Sequence, residues 1–142
     1  MKKYLIITAL MLFVPMLMSG QSSDPLIQKC ALNSGPNSTF LKDFRVQLGK
    51  GNSQPELRVR QVFPLSKNMT YKFTLCNADN SQGKLIMKLK DSDGSLQATS
   101  YVSGKAYPEI NFTCKKTGTY NLYFDFIDFL PGSGVGIVSL VK

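Results

Sequence analysis

The sequence lacks histidine and tryptophan altogether. Histidine is the commonest general base and the commonest zinc ligand, so its absence removes the usual route to acid–base catalysis and to a zinc site. The absence of tryptophan weakens any platform on which sugar rings could stack, although six tyrosines can replace it in part. These absences point away from an enzyme and toward a protein that binds or supports another molecule.

Acidic residues are also scarce, nine against 17 lysines and arginines. A glycosidase needs two carboxylates that face one another across a cleft. Asp125 and Asp128 lie three residues apart around the end of a predicted strand, where they would not face one another. A catalytic thiol is not expected either, because no histidine is available to activate one. We therefore predict a non-catalytic protein with no catalytic residues, no cofactor and no metal site.

Long apolar runs are confined to the start of the chain. Two lysines precede an apolar stretch over residues 4–18, which Pro15 interrupts, and small residues follow. This pattern resembles the secretory signal peptides of Gram-negative bacteria and predicts a signal peptide over residues 1–20, cleaved after Gly20. The run is shorter than the ~20 residues of a spanning helix, so no transmembrane segment is expected after cleavage. Cys30 lies too far beyond Gly20 for a lipoprotein anchor, and the mature protein is expected in the periplasm, at the cell surface or outside the cell.

The mature chain divides into a polar leader, residues 21–39, and one domain, residues 40–142. Within the leader, residues 26–32 fit either a short helix or a strand. The domain shows period-two alternation of apolar and polar residues in short runs, with turn signals every eight to twelve residues, which is typical of a sandwich or barrel. The runs cover residues 40–48, 57–63, 71–76, 85–90, 95–102, 110–114, 119–126 and 135–141.

These runs predict an all-β fold, an antiparallel jelly-roll-like β-sandwich of about eight strands. The pair at 110–114 and 119–126 is joined by a short Lys-Lys-Thr-Gly break, and we expect it to form the central hairpin. Pro64 is expected to limit the end of the second strand.

The order of strand and turn signals from residue 61 onward resembles the bacterial pre-peptidase C-terminal domain and related jelly-roll modules. The matching pieces are YKFTL at 71–75, GKL at 83–85, LKDSDG at 89–94, INF at 110–112 and TGTYNL at 117–122. The resemblance covers about half of the chain and implies a compact sandwich that accompanies other secreted proteins, sometimes by binding polymers. Such modules sometimes bind calcium, but no matching acidic cluster occurs in this sequence.

Two glycine-bearing motifs suggest ligands that their context excludes. Residues 91–94, Asp-Ser-Asp-Gly, resemble the start of a calcium loop, but Ser95 and Val102 stand where an EF-hand needs its later oxygen ligands, so a turn is predicted. Residues 132–136 resemble a dinucleotide fingerprint, but a β-like run follows them instead of the helix that would meet a pyrophosphate.

Three cysteines allow one disulfide with one thiol left over, and an oxidising compartment favours the bridge. Alternation places Cys114 on the core side of its strand and Cys76 on the opposite side of its own. These two thiols would face apart, so a bridge between them would require a twist at a strand end. Pairing of Cys30 with either one remains open.

The basic residues suggest a binding surface. Arg58 and Arg60 share a strand face, Lys88 and Lys90 share another, and Lys72 also points outward. If these strands belong to one sheet, its solvent side is a basic stripe suited to an anionic glycan or a lipid surface. Ordinary solvation of strand edges would explain the same charges.

The apolar residues Phe129, Leu130 and Pro131 lie in a predicted loop. An exposed tip would insert into a partner or a membrane, whereas a turn packed back on the sandwich would have no such role. We predict an exported, non-catalytic binding module of the bacterial envelope or exterior that uses the basic face and this loop. The alternative is a structural or accessory subunit of a larger envelope assembly. Nucleic acid is not an expected partner, and the sequence leaves the oligomeric state open.

Overall fold

The computed structural model describes residues 24–142, and the predicted signal peptide lies outside them. Within these residues the chain forms one α-helix, one turn of 3-10 helix and ten strands. The helix α1 covers Pro25–Asn33 and the 3-10 turn covers Ile127–Phe129. The strands are β1 (Ser38–Leu48), β2 (Val59–Leu65), β3 (Thr70–Asn77), β4 (Leu85–Lys90), β5 (Leu96–Thr99), β6 (Tyr101–Val102), β7 (Lys105–Ala106), β8 (Glu109–Thr113), β9 (Gly118–Phe126) and β10 (Gly132–Val141).

Eight of these strands form two antiparallel four-stranded sheets. Sheet A has the order β1-β10-β3-β8 and sheet B has the order β2-β9-β4-β5, while β6 and β7 form a separate two-stranded ribbon. Two four-stranded sheets with these crossovers are the arrangement of a jelly roll. The predicted fold class, an antiparallel jelly-roll-like sandwich of about eight strands, is confirmed.

The core lies between the two sheets and follows the alternation of the strands. In β9, Tyr120, Leu122, Phe124 and Phe126 point inward and are at most 5% exposed. Burying a large apolar side chain contributes about 1.5–3 kcal/mol, so this strand supplies a large share of the stability. Its partners in the core include Phe44, Val46, Leu65, Phe73, Leu75, Leu85, Met87, Leu89 and Val138.

Glycines in β10 let the two sheets come close together. A Cβ atom on Gly132 would lie 2.5 Å from the ring of Phe126, and one on Gly136 would lie 2.7 Å from the ring of Phe124. A side chain at either position would collide with a phenylalanine ring, so glycine is required for the two sheets to pack at this distance. The glycines that resemble a dinucleotide fingerprint therefore belong to a strand, as the sequence context indicates.

Helix α1 covers the outside of sheet A. It begins with Pro25 after Asp24, whose carboxylate accepts a hydrogen bond of 2.8 Å from the N–H of Leu26, a standard N-cap. Its buried residues, Ile27 and Cys30, pack against outward-facing residues of β10. The choice between helix and strand for residues 26–32 is thus settled as a helix.

A disulfide joins Cys30 of the helix to Cys76 of β3, with their Cα atoms 5.8 Å apart. Cys114 is the free thiol and is 1% exposed in the core. The sequence placed Cys76 and Cys114 on opposite sides of their sheets, and the structure agrees. The bridge could form because the helix lies on the side to which Cys76 points.

Residues 110–126 do not form the hairpin that the sequence suggests, and this prediction is wrong. Strand β8 pairs with β3 in sheet A, whereas β9 lies between β2 and β4 in sheet B. The connection between them crosses from one sheet to the other. It is held by hydrogen bonds that Cys114 exchanges with the turn before β3: its N–H donates to Met69 and its C=O accepts from Asn68, at 2.9 and 2.8 Å.

Two strand ends also differ from the sequence-based prediction. The run at 95–102 breaks at the buried Ser100, and its second half turns through Ser103 and Gly104, both with positive φ, into the ribbon β6–β7. Strand β2 continues through Pro64, which lies opposite Thr119. Proline is tolerated there because β2 is the edge strand of sheet B.

We expect the disulfide to contribute much of the free energy that keeps α1 on sheet A, because an isolated helix of nine residues has only marginal stability. The bridge closes a segment with a sequence separation of 46. Replacing both partners, C30A with C76A, should lower the free energy of unfolding by about 3–4 kcal/mol. Urea unfolding followed by circular dichroism measures this change.

The control for this experiment is a reducing agent. It should lower the stability of the wild-type protein toward that of C30A/C76A and leave the variant unchanged. If wild type and variant lose equal stability in reductant, the bridge is not the source of the difference.

Candidate functional site

The outward residues of sheet B form a polar surface with an aromatic ring in its middle. Arg60 of β2 and Lys88 of β4 are the register neighbours of Tyr123 in β9. Neighbouring strands are about 4.8 Å apart, so the two cationic residues flank the tyrosine at a separation of ~10 Å between their backbones. Thr99 of β5 continues the same row beyond Lys88.

A second row runs parallel to the first. Asn121 of β9 lies between Val62 of β2 and Lys90 of β4. Val62 is 48% exposed and adds an apolar patch beside the polar groups. We call the six side chains of the two rows on β2, β9 and β4 the outer face of sheet B: Arg60, Val62, Lys88, Lys90, Asn121 and Tyr123.

Part of the positive charge of this face acts on Glu56, which pairs with Lys90 and interacts electrostatically with Lys88. Arg60 is exposed, and neither Arg60 nor Lys88 takes part in an ion pair within residues 24–142. Lys90 pairs with Glu56 and lies over the ring of Tyr123, with its Nζ atom 5.2 Å from the ring centroid. The hydrogen bond from Lys90 to Glu56 raises the pKa of Lys90, so this lysine stays charged.

Arg58 lies at the end of this face, but its charge is neutralised. Its Nε atom donates to Oδ2 of Asp125 and its Nη2 atom donates to Oδ1, each at 2.9 Å. Its Nη1 atom donates to the carbonyl of Gly49. The guanidinium also lies 5.8 Å from the ring centroid of Phe129. Arg58 is therefore a structural residue, and the prediction that it offers a free charge to a ligand is wrong.

Asp125 is 0% exposed although it points to the outer side of β9. Burial alone would raise its pKa, but the hydrogen bonds from Arg58 and from the N–H groups of Phe126 and Arg58 outweigh this effect. The pKa of Asp125 consequently lies below its ordinary value of 3.8. A buried carboxylate needs this complete set of donors, since an unpaired buried charge costs several kcal/mol.

Lys72 does not belong to this face. It lies in β3 of sheet A, where its Nζ atom donates to the carbonyl of Ser34 at 3.0 Å and pairs with Glu109 at 3.5 Å. Ser34 caps the C-terminus of α1, where a positive charge is favourable. The five predicted basic residues thus divide: the structure brings Arg60, Lys88 and Lys90 together and gives Arg58 and Lys72 structural roles.

The loop with Phe129, Leu130 and Pro131 is packed back onto the sandwich. All three residues are half-buried. The carbonyls of Phe129 and Pro131 each accept a hydrogen bond of 2.8 Å, from Gly51 and Gly83 respectively. The loop is not an exposed tip, so the hypothesis that it inserts into a partner is wrong.

Tyr123 and Asn121 are candidate site residues that the sequence reasoning missed. The signal was present, because the alternation that places Leu122 and Phe124 in the core places Tyr123 and Asn121 outside. Neither residue carries a charge, so the pattern of lysine and arginine does not mark them.

No protein-family model matches the chain, and no curated protein matches it in sequence. The resemblance to the pre-peptidase C-terminal domain therefore stays a prediction. Among residues 24–142, no helix has the length and apolar character needed to span a membrane. In the same part of the chain, no cluster of three or more acidic, cysteine or histidine side chains could hold a metal ion.

We expect D125N to destabilise the protein by about 3–5 kcal/mol, because the substitution leaves Arg58 without its buried counter-charge. The folded-state pKa of Asp125 is depressed, so the ion pair contributes fully above the unfolded value of 3.8 and its contribution is lost as the pH falls through the folded value. The difference in urea midpoint between wild type and D125N should be full at neutral pH and shrink in acid.

D128N is the matched control, because Asp128 is exposed and takes no part in an ion pair within residues 24–142. It should change the free energy of unfolding by less than about 0.5 kcal/mol. Equal effects of D125N and D128N would contradict the role of the buried pair.

Proposed function

We propose that this protein is an exported, non-catalytic binding module that recognises an anionic glycan through the outer face of sheet B. The observation that carries the proposal is the row in which Arg60 and Lys88 flank Tyr123. Both cations lack an ion-pair partner within residues 24–142, and they lie at a fixed spacing on a rigid sheet. Charged donors on the two strands that flank β9 can contact acidic groups of a polymer without rearrangement.

The chemistry of the face favours a glycan over a lipid surface. Asn121 adds hydrogen-bonding groups suited to hydroxyls, and Tyr123 and Val62 add apolar surface for the ring faces of sugars. A lipid surface would be better contacted by a protruding apolar element, whereas most side chains of the outer face of sheet B are charged or polar.

The disulfide supports the proposal that the protein is exported, because such bridges form and persist in oxidising compartments. A periplasmic, cell-surface or extracellular location fits an envelope polysaccharide as the ligand. The jelly-roll fold is compatible with this function but does not determine it.

A second candidate function, an accessory subunit of an envelope assembly, is favoured by the ribbon β6–β7. Tyr101, Val102 and Tyr107 in and beside this ribbon are 36%, 49% and 44% exposed. Exposed apolar side chains that are grouped on one short ribbon are typical of a protein contact. If this function is the correct one, Y101S with Y107S should abolish co-purification with the partner, whereas the basic residues of sheet B should be dispensable.

Replacing the two flanking cations, R60Q with K88Q, should weaken binding to a polyuronate such as polygalacturonate by about tenfold, because each exposed charge contact contributes up to ~1 kcal/mol. Wild-type affinity should also fall as salt is raised, since exposed charges are screened over ~8 Å at physiological ionic strength. Isothermal titration calorimetry at two salt concentrations measures both effects.

The control variant K29Q/K142Q removes the same amount of charge from the side of the molecule that carries α1 and sheet A. It should bind like the wild type. Equal loss of affinity in both double variants, or binding to anionic vesicles without binding to any acidic glycan, would contradict the proposal.

A further inference from the structure

A shallow pocket of about 100 Å³ lies at one end of sheet B. It is formed between the turn that joins β4 to β5 and the connection that leads into β9. The turn contributes Asp91, Ser92 and Asp93, and β5 contributes Gln97. Residues 115–117 of the connection and residues 118–120 at the start of β9 form the other side. The sequence motif at this place, Asp-Ser-Asp-Gly at 91–94, predicts only a turn.

The pocket is continuous with the outer face of sheet B. Thr119 lines the pocket, and it alternates with Asn121 and Tyr123 on the outer side of β9. Lys90, which belongs to the outer face, directly precedes Asp91 at the pocket wall. From Tyr123 to Thr119 the strand rises by ~13 Å. A ligand lying along β9 would therefore reach the pocket after crossing the two rows of the face.

The two walls of the pocket carry opposite charges. Lys115 and Lys116 are exposed on one wall and form no ion pair within residues 24–142. On the other wall, Asp91 accepts hydrogen bonds of 2.9 Å from the N–H groups of Asp93 and Ser95, which fixes the turn. The carboxylate of Asp93 is exposed beside it.

This combination selects a group with both an acid and hydroxyls. A bare phosphate or sulfate ion would be attracted by the lysines and repelled by the two carboxylates. A sugar acid places its carboxylate toward the lysines and donates a hydroxyl hydrogen to the exposed carboxylate of Asp93, because both oxygens of Asp91 already accept hydrogen bonds from the turn and from Gln97.

We propose that this pocket is the end subsite of the glycan site, in which a terminal uronic acid lies between Lys115 and Lys116 on one wall and the Asp91–Asp93 turn on the other. This inference rests on the proposed function. The glycan chain then follows β9 across Thr119, Asn121 and Tyr123. Its acidic groups pass Lys90, which also pairs with Glu56, beside Asn121, and then Lys88 and Arg60 on either side of Tyr123.

The experiment is calorimetric titration with mono-, di-, tetra- and hexagalacturonate. Affinity should rise from the monomer to the tetramer and then level off, because the track has a finite length. The variant K115Q/K116Q should weaken binding of the tetramer by about tenfold and change binding of the dimer much less, since the dimer can be held by Arg60 and Lys88 alone. R60Q/K88Q should weaken both oligomers.

Two controls separate the inference from the proposed function. K29Q/K142Q, with the same loss of charge elsewhere, should leave all affinities unchanged, and thermal melting should show that every variant is folded. If K115Q/K116Q binds every oligomer as the wild type does while R60Q/K88Q is weakened, the end subsite is refuted and the proposed function stands. If the wild type binds no oligomer and no polyuronate, the proposed function fails as well.

Discussion

The close approach of β10 to Phe124 and Phe126 is the contact on which the rest of the structure depends. Because Gly132 and Gly136 have no side chains, these two rings can fill the space between the sheets at van der Waals distance. The packing fixes which side of β9 faces the core. By the same alternation it fixes which side faces outward, so the surface that carries Tyr123 and Asn121 is a direct result of core packing.

The fold class could be predicted because it depends on local pattern, and the strand partners could not because they depend on distant contacts. Alternation at β1, β3, β4, β9 and β10 is visible in the sequence, and the strand bounds in the structure agree with it to within a few residues. Nothing local distinguishes a hairpin at 110–126 from a connection between sheets. The loop at 114–117 is short enough for either, and hydrogen bonds with the turn at 68–69, more than 40 positions earlier, decide the outcome.

The candidate site could likewise be predicted where it depends on the local pattern of a strand, and could not where it depends on distant contacts. Period-two alternation correctly placed Arg60, Lys88 and Lys90 on outward faces, but a pattern within one strand cannot say which sheet that strand joins. Lys72 also points outward, yet on sheet A, where α1 supplies its partner. Arg58 could not be distinguished from Arg60 by sequence, because what separates them is a single buried carboxylate, Asp125, 67 positions away in the chain.

That carboxylate has an electrostatic consequence for the neighbouring surface. Asp125 lies two residues from Tyr123 on the same side of β9, a rise of about 7 Å. At that distance an uncompensated negative charge would oppose an approaching anion by about 2 kcal/mol at the effective dielectric constant near a protein surface. Paired with Arg58 it presents a dipole, whose field decays more steeply with distance than that of a single charge. The ion pair with Arg58 therefore prevents the negative charge of Asp125 from reducing the attraction of an anion to the surface around Tyr123.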